Sequence, residues 1–184
     1  VISNFLTKKI KNLKILSKPK TSTYIKQNSI INKKPIYILG ISAFYHDSAA
    51  SLIKDGEIIA AAQEERFSRK KDDRRFPLNA INFCLERANI QQDDLSIIVY
   101  YDNTSLTFER VLWSFAKTVP ASKDAWLRTM PSWVKYKFFL PQLIRKKLKY
   151  NGKILHDLHH RSHIAAAFFP SPFQKAAILT IDGV

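Results

Sequence analysis

Three short apolar runs in quick succession, Ile36–Ile41, Ser48–Ile53 and Ile58–Ala62, constrain this chain more than any other feature. Each is strand-sized and bounded by turn-forming residues. Lys54-Asp55-Gly56-Glu57 separates the second run from the third, and its Asp-Gly pair suits a two-residue hairpin turn. Ser42 to Asp47 is a polar break between the first and second runs. Together these predict an antiparallel three-stranded meander. Pro77 fits the first turn of a helix whose apolar face carries Ile81, Leu85 and Ala88. A fourth strand is expected over Leu95–Tyr101, after the acidic turn Asp93-Asp94.

Thr104 to Lys149 reads as mostly helical, broken near Pro120, Pro131 and Pro141. Its aromatics (Phe108, Trp113, Phe115, Trp126, Trp133, Tyr136, Phe138, Phe139) are expected to pack rather than bind a ligand. Leu140, Leu143, Ile144 and Leu148 alternate with Arg145-Lys146-Lys147 as in an amphipathic helix with a solvated basic face. Ile154-Leu155 is a short strand, His159–Phe169 a helix, and Ala176–Ile181 a final strand. The order β-β-β-α-β-α-β-α-β predicts an α/β fold, a mixed sheet with helices on its faces. It is the plan of a ribonuclease-H-like, actin-like half-domain of the sugar kinase–Hsp70–actin class.

The single cysteine, Cys84, lies on an apolar helix face, so no disulfide framework exists within the chain and a reducing, cytoplasmic setting is expected. No run reaches the roughly 18 apolar residues of a membrane-spanning helix. The net charge of +15 would suggest nucleic acid if it were spread over the surface. Nine lysines and no acid fall within residues 1–34, leaving +6 for the remainder. That leader lacks an apolar signal core and any arginine, so it reads as a disordered, solvated arm. Nothing in the second basic zone resembles a nucleic-acid-reading module.

The chemistry concentrates near the carboxyl end, where Leu155–His163 holds four of the five histidines. On a helix, His159 and His163 share one face and both imidazoles can reach one cation. Asp182 follows the last apolar run and would add a carboxylate oxygen, a donor set suited to zinc or ferrous iron. The plainer alternative is a pair of surface histidines at a helix start. His160 sits about 100° around the helix from His159 and is expected to cap or pack.

Several blocks resemble the N-terminal domain of the carbamoyltransferases that modify nodulation factors and antibiotics. They are Gly40-Ile41-Ser42 through His46-Asp47-Ser48-Ala49-Ala50, then Gln63-Glu64-Glu65-Arg66-Phe67-Ser68-Arg69-Lys70-Lys71 with Phe76-Pro77. His159-His160-Arg161-Ser162-His163, Phe168, Ser171-Pro172-Phe173 and Ala176 to Val184 complete the set, in the family's order. The resemblance runs from about Tyr37 to the end and implies an actin-like fold related to the tRNA threonylcarbamoyl transferases. It implies transfer of a carbamoyl group from carbamoyl phosphate and ATP, through carbamoyladenylate, to a hydroxyl of a sugar-containing acceptor. His159, His163 and Asp182 would be metal ligands.

His46, in a turn at a strand end, is the candidate substrate-binding group or general base, with Asp47 beside it. The alternative is a turn histidine bonded locally to Asp47. Arg66, Arg69, Lys70 and Lys71 are candidates for gripping phosphate oxygens, or else a solvated charge run. Asp72 departs from the family, which has histidine after Arg-Lys-Lys. Residues 35–184 are expected to be the first half of the domain, inactive without the remainder of the enzyme. A threonylcarbamoyl-type transferase and a non-catalytic actin-like binding module are the alternatives, and the sequence leaves homodimer formation open.

Overall fold

The computed structural model describes residues 15–17, 34–121, 123–132 and 139–182. Its elements in chain order are β1 (Ile15–Ser17), β2 (Tyr37–Ser42), β3 (Ala49–Lys54), β4 (Glu57–Gln63), α1 (Glu65–Ser68), α2 (Leu78–Ala88), β5 (Ile97–Tyr100), α3 (Thr104–Thr118), α4 (Lys123–Ser132), α5 (Leu140–Leu148), β6 (Lys153–His156), α6 (His159–Phe168) and β7 (Lys175–Ala177). The chain divides into two bodies, residues 34–158 and residues 1–33 with 159–184.

The larger body is built on a five-stranded sheet of order β4-β3-β2-β5-β6. The meander β2–β3–β4 is antiparallel, and β5 and β6 run parallel to β2. The β3–β4 turn takes positive φ at both Asp55 (50°) and Gly56 (93°). Two successive left-handed residues match the twist of the flanking strands, and Asp-Gly tolerates them. Register sets Leu39 opposite both Leu52 and Ile98, and all three are fully buried. Gly40 pairs with Ser51, and a Cβ there would sit 2.9 Å from the Ser51 hydroxyl.

α2 lies over β3 and β4 and buries Ala80, Ile81, Cys84 and Leu85. Pro77 caps its start and Asn89 ends it in a left-handed conformation. Burial pushes the Cys84 thiol up to about 11, so it behaves as a core side chain. α5 adds Leu140, Ile144 and Leu148 to the same core, at helical spacing, while Arg145, Lys146 and Lys147 face solvent. Within α3, the Asn103 side chain caps the first turn by accepting from the Leu106 amide at 3.2 Å.

Several expectations change. α4 runs through Pro131 to Ser132 instead of stopping before it. A proline in the last turn removes one backbone bond close to where the ladder ends anyway. Phe115 and Trp126 pack edge to face, with ring centroids 5.1 Å apart. Trp113 and Phe139, however, are largely exposed, while Trp133, Tyr136 and Phe138 lie outside the described residues. Glu65–Ser68, at the head of the basic run, form a one-turn helix, α1.

In the smaller body, β7 covers only Lys175–Ala177 and pairs antiparallel with β1. Ile15–Ser17 therefore form a strand inside the segment expected to be a disordered arm. Residues 1–14 and 18–33 of that segment lie outside the described residues. Residues 178–182 were expected to continue the last strand but have no ladder partner among the described residues. They keep a strand's alternation, with Ile178, Thr180 and Asp182 half-buried and Leu179 and Ile181 exposed. Among the described residues no helix is long and apolar enough to cross a membrane.

Candidate metal centre

α6 opens on His159-His160 and carries His163 one turn later. The i, i+4 spacing stacks His159 and His163 on one face. Their rings meet edge to face at 4.6 Å, and their Nε2 atoms are 3.1 Å apart. Period-two alternation turns Thr180 and Asp182 to the same side of the chain. One Asp182 oxygen, Oδ2, lies 3.1 Å from His159 Nε2, and the other, Oδ1, lies 3.6 Å from His163 Nε2. One atom from each of the three side chains falls within 4.8 Å of the others.

The donor set passes a simple geometric test. Four ligands held tetrahedrally at zinc–nitrogen and zinc–oxygen distances lie about 3.3 Å from one another. His159 Nε2 lies 3.1 Å from His163 Nε2 and 3.1 Å from Asp182 Oδ2, both close to that edge, while Asp182 comes within 3.6 Å of His163 Nε2 through its other oxygen, Oδ1. Two imidazole nitrogens and a carboxylate also suit zinc and ferrous iron chemically. The side chains of His159 and Asp182 are about a quarter exposed and that of His163 about half, so solvent reaches the cluster.

His160 does more than cap or pack. Its Nε2 lies 3.0 Å from Asp182 Oδ2, and its Nδ1 lies 3.3 Å from the Thr180 hydroxyl. His156 belongs to the larger body, where Nδ1 lies 3.2 Å from the Asp102 carbonyl and the ring meets Tyr100 edge-on.

The other sequence-derived candidates belong to the larger body. His46 is exposed and Asp47 half-buried, and the two are bonded to each other, Nδ1 to Oδ2 at 2.9 Å. Asp47 adopts a left-handed backbone (φ 47°) that aspartate tolerates. The loop that carries them is tied down from residues 73–74. Phe44 donates to the Arg74 carbonyl at 3.0 Å and Ser48 to that of Asp73 at 2.9 Å. Arg66, Arg69, Lys70 and Lys71 all point into solvent, with Arg66 3.8 Å from Glu65. The structure brings the carboxylates of Asp47, Glu65 and Asp72 within 4.8 Å of one another beside this run. The Asp72 amide donates to Glu65 at 3.2 Å, which gives the residue at the departing position a local role.

Sequence reasoning missed two buried acids nearby. Glu64 accepts from the Asn79 side chain at 2.7 Å and from the Ala80 amide at 3.0 Å, pinning the α2 start to the end of β4. A carboxylate there satisfies orphan helix amides and complements the helix dipole. Asp73 is gripped by Arg75, with Nη2 to Oδ2 at 2.6 Å and Nε to Oδ1 at 3.0 Å. The Arg75 hydrogen bond holds the Asp73 carboxyl well below the usual carboxylate range, against the opposing pull of burial. The signals were Glu64 closing an apolar strand and an acid two residues before an arginine. Both were hidden within a stretch that reads as uniformly charged.

Residues 37–184 match the family described as "Carbamoyltransferase N-terminus". An uncharacterized protein of Synechocystis sp. is 46% identical over 156 residues, 80% of this chain and 25% of the relative. Nodulation protein NolNO of Sinorhizobium fredii is 35% identical over 146 residues, 77% of this chain and 20% of that protein. An uncharacterized protein of Methanocaldococcus jannaschii is 28% identical over 138 residues, 75% and 20% respectively. The chain thus spans a quarter or less of the length of these relatives. With the match running from the first strand of the sheet to the end of the chain, this protein belongs to the carbamoyltransferase N-terminal family.

Proposed function

We propose that this chain supplies the metal-holding part of an O-carbamoyltransferase. In this reading, carbamoyl phosphate and ATP yield carbamoyladenylate, and a sugar-type hydroxyl receives the carbamoyl group. The observation that carries the reading is the convergence of His159, His163 and Asp182, in a chain of this family, at separations one cation could span. The strand order, with a meander and then two strands parallel to its first member, supports an actin-like, ribonuclease-H-like half-domain. A need for ATP supports a cytoplasmic setting.

His159 and His163 would offer Nε2 lone pairs and Asp182 an oxygen to zinc or ferrous iron. Such an ion, when bound, supplies Lewis acidity toward the carbamoyl carbonyl or the acceptor hydroxyl. His46 would take the acceptor's proton as its oxygen bonds to the carbamoyl carbon and the carbon–oxygen bond to AMP breaks. Asp47 at Nδ1 suits that role, because a carboxylate there leaves Nε2 as the accepting nitrogen. The exposed cations Arg66, Arg69, Lys70 and Lys71 would meet phosphate oxygens, with little desolvation to overcome.

The test is transfer by the full-length protein from labelled carbamoyl phosphate, with ATP, to sugar-containing acceptors. Replacing His159, His163 or Asp182 is expected to stop transfer while pyrophosphate release from ATP continues. Undiminished transfer by all three variants would overturn the reading.

A further inference from the structure

Asp182 is the ligand candidate with the least support from its own element. His159 and His163 ride on a helix, whereas Asp182 lies in a segment with no ladder partner among the described residues. A side-chain rotamer frozen only on binding weakens the grip, so a partner that holds the carboxylate beforehand strengthens it. Besides His159 and His163 it meets His160, turned about 100° from His159 by the helix and kept out of the three-donor set.

We propose that His160, itself anchored by Thr180, is a positioning residue that holds the Asp182 carboxylate in the orientation needed to bind the cation. The proposal rests on the metal-holding reading above. Thr180 and Asp182 are two residues apart and share a side, so one imidazole reaches both. The Thr180 hydroxyl faces His160 Nδ1 at 3.3 Å, and His160 Nε2 faces Asp182 Oδ2 at 3.0 Å. With the hydroxyl donating to Nδ1, the neutral ring carries its hydrogen on Nε2 and donates it to the carboxylate.

Oδ2 takes the His160 hydrogen bond while also standing 3.1 Å from His159 Nε2. Oδ1 stands 3.6 Å from His163 Nε2, too far for a hydrogen bond and close to the spacing of two ligands on one ion. Ligating carboxylates elsewhere are fixed by such outer partners, whose loss weakens metal affinity by about 10–100-fold. Because the His160 side chain is half exposed, water competes for both its nitrogens, and the Thr180 anchor limits that competition.

The experiment is cobalt(II) titration of the full-length protein, reading affinity and the ligand-field spectrum, with circular dichroism to verify folding. Relative to wild type, His160→Ala should lose about 10–100-fold in affinity with an unchanged donor spectrum. His160→Gln, whose amide can still donate to Asp182, should recover most of the loss, and Thr180→Val should show a smaller loss than His160→Ala. His159→Ala should abolish binding. If His160→Ala or, should that variant misfold, Thr180→Val binds as wild type while His159→Ala does not, the positioning role is refuted and the metal-holding reading stands. If His160→Ala abolishes binding and changes the donor spectrum as His159→Ala does, His160 is a ligand and the proposal falls. If the wild-type protein takes up no cobalt, the metal-holding reading fails and this proposal fails with it.

Discussion

Asp73 and Asp182 are the same side chain put to opposite uses. Asp73 is fully buried in the larger body and matched by a guanidinium that never gives up its charge. Asp182, in the smaller body, is a quarter exposed and faces three imidazoles, of which His159 and His163 fall with it in one group whose donor atoms a cation could bridge. The first carboxylate has its partner for good and serves stability. The second has partners that can be exchanged, and that is what a binding site requires. Burial alone would have ranked Asp73 as the more unusual residue. The chemistry of the neighbours reverses that order.

The contrast breaks first at the cluster. His163→Ala should lower divalent-metal affinity by more than about 100-fold, beyond what outer-partner losses cost. Isothermal titration with zinc checks it, and the melting temperature of the metal-free protein should stay where it was. On the sheet side the sensitivity is reversed. Leu52→Ala should cost about 2–5 kcal/mol of folding stability, read by urea denaturation, because a fully buried side chain leaves a cavity.

Asp73→Asn sharpens the comparison through pH. The Asp73 carboxyl titrates lower in the folded chain than in the unfolded one, so its contribution is complete above the ordinary carboxylate range. That contribution is lost as pH falls below about 4, toward the folded value. The variant should therefore unfold at lower urea than wild type at pH 7, with the gap narrowing at pH 3. The smallest effect is expected at Arg66→Ala, within about 0.5 kcal/mol of wild-type stability, since the side chain is solvated. A weaker hold on carbamoyl phosphate without that stability loss would assign Arg66 to substrate.

Much of the sheet was legible from pattern alone. The meander strands fall within a residue of their apolar runs, and the Asp55-Gly56 turn has the backbone its residues favour. Pro77 marked the start of α2 for the same local reason. Local signals failed where pairing is non-local. Ile178–Ile181 carries a strand's hydrophobic pattern, yet among the described residues the pairing with β1 ends at Ala177. The His159 and His163 pairing could be anticipated because helix spacing is fixed, whereas Asp182 was suggested by its place after the last apolar run and by the family resemblance. The reach of His160 to Thr180 and Asp182 depends on how two segments meet, which spacing does not encode. Asp73 was lost in a run of charges whose burial no single-residue scale reveals.

The Glu64 carboxylate has one more consequence. Its backbone amide donates to the Ser48 carbonyl at 2.8 Å while its side chain holds the Ala80 amide. The edge of the meander and the first turn of α2 therefore open as one cooperative unit, not as a fraying helix tip beside a stable strand. In amide hydrogen exchange, the Ala80 proton should be as slow as those of the adjoining strand, although it lies in the first turn of a helix, where amides usually exchange first.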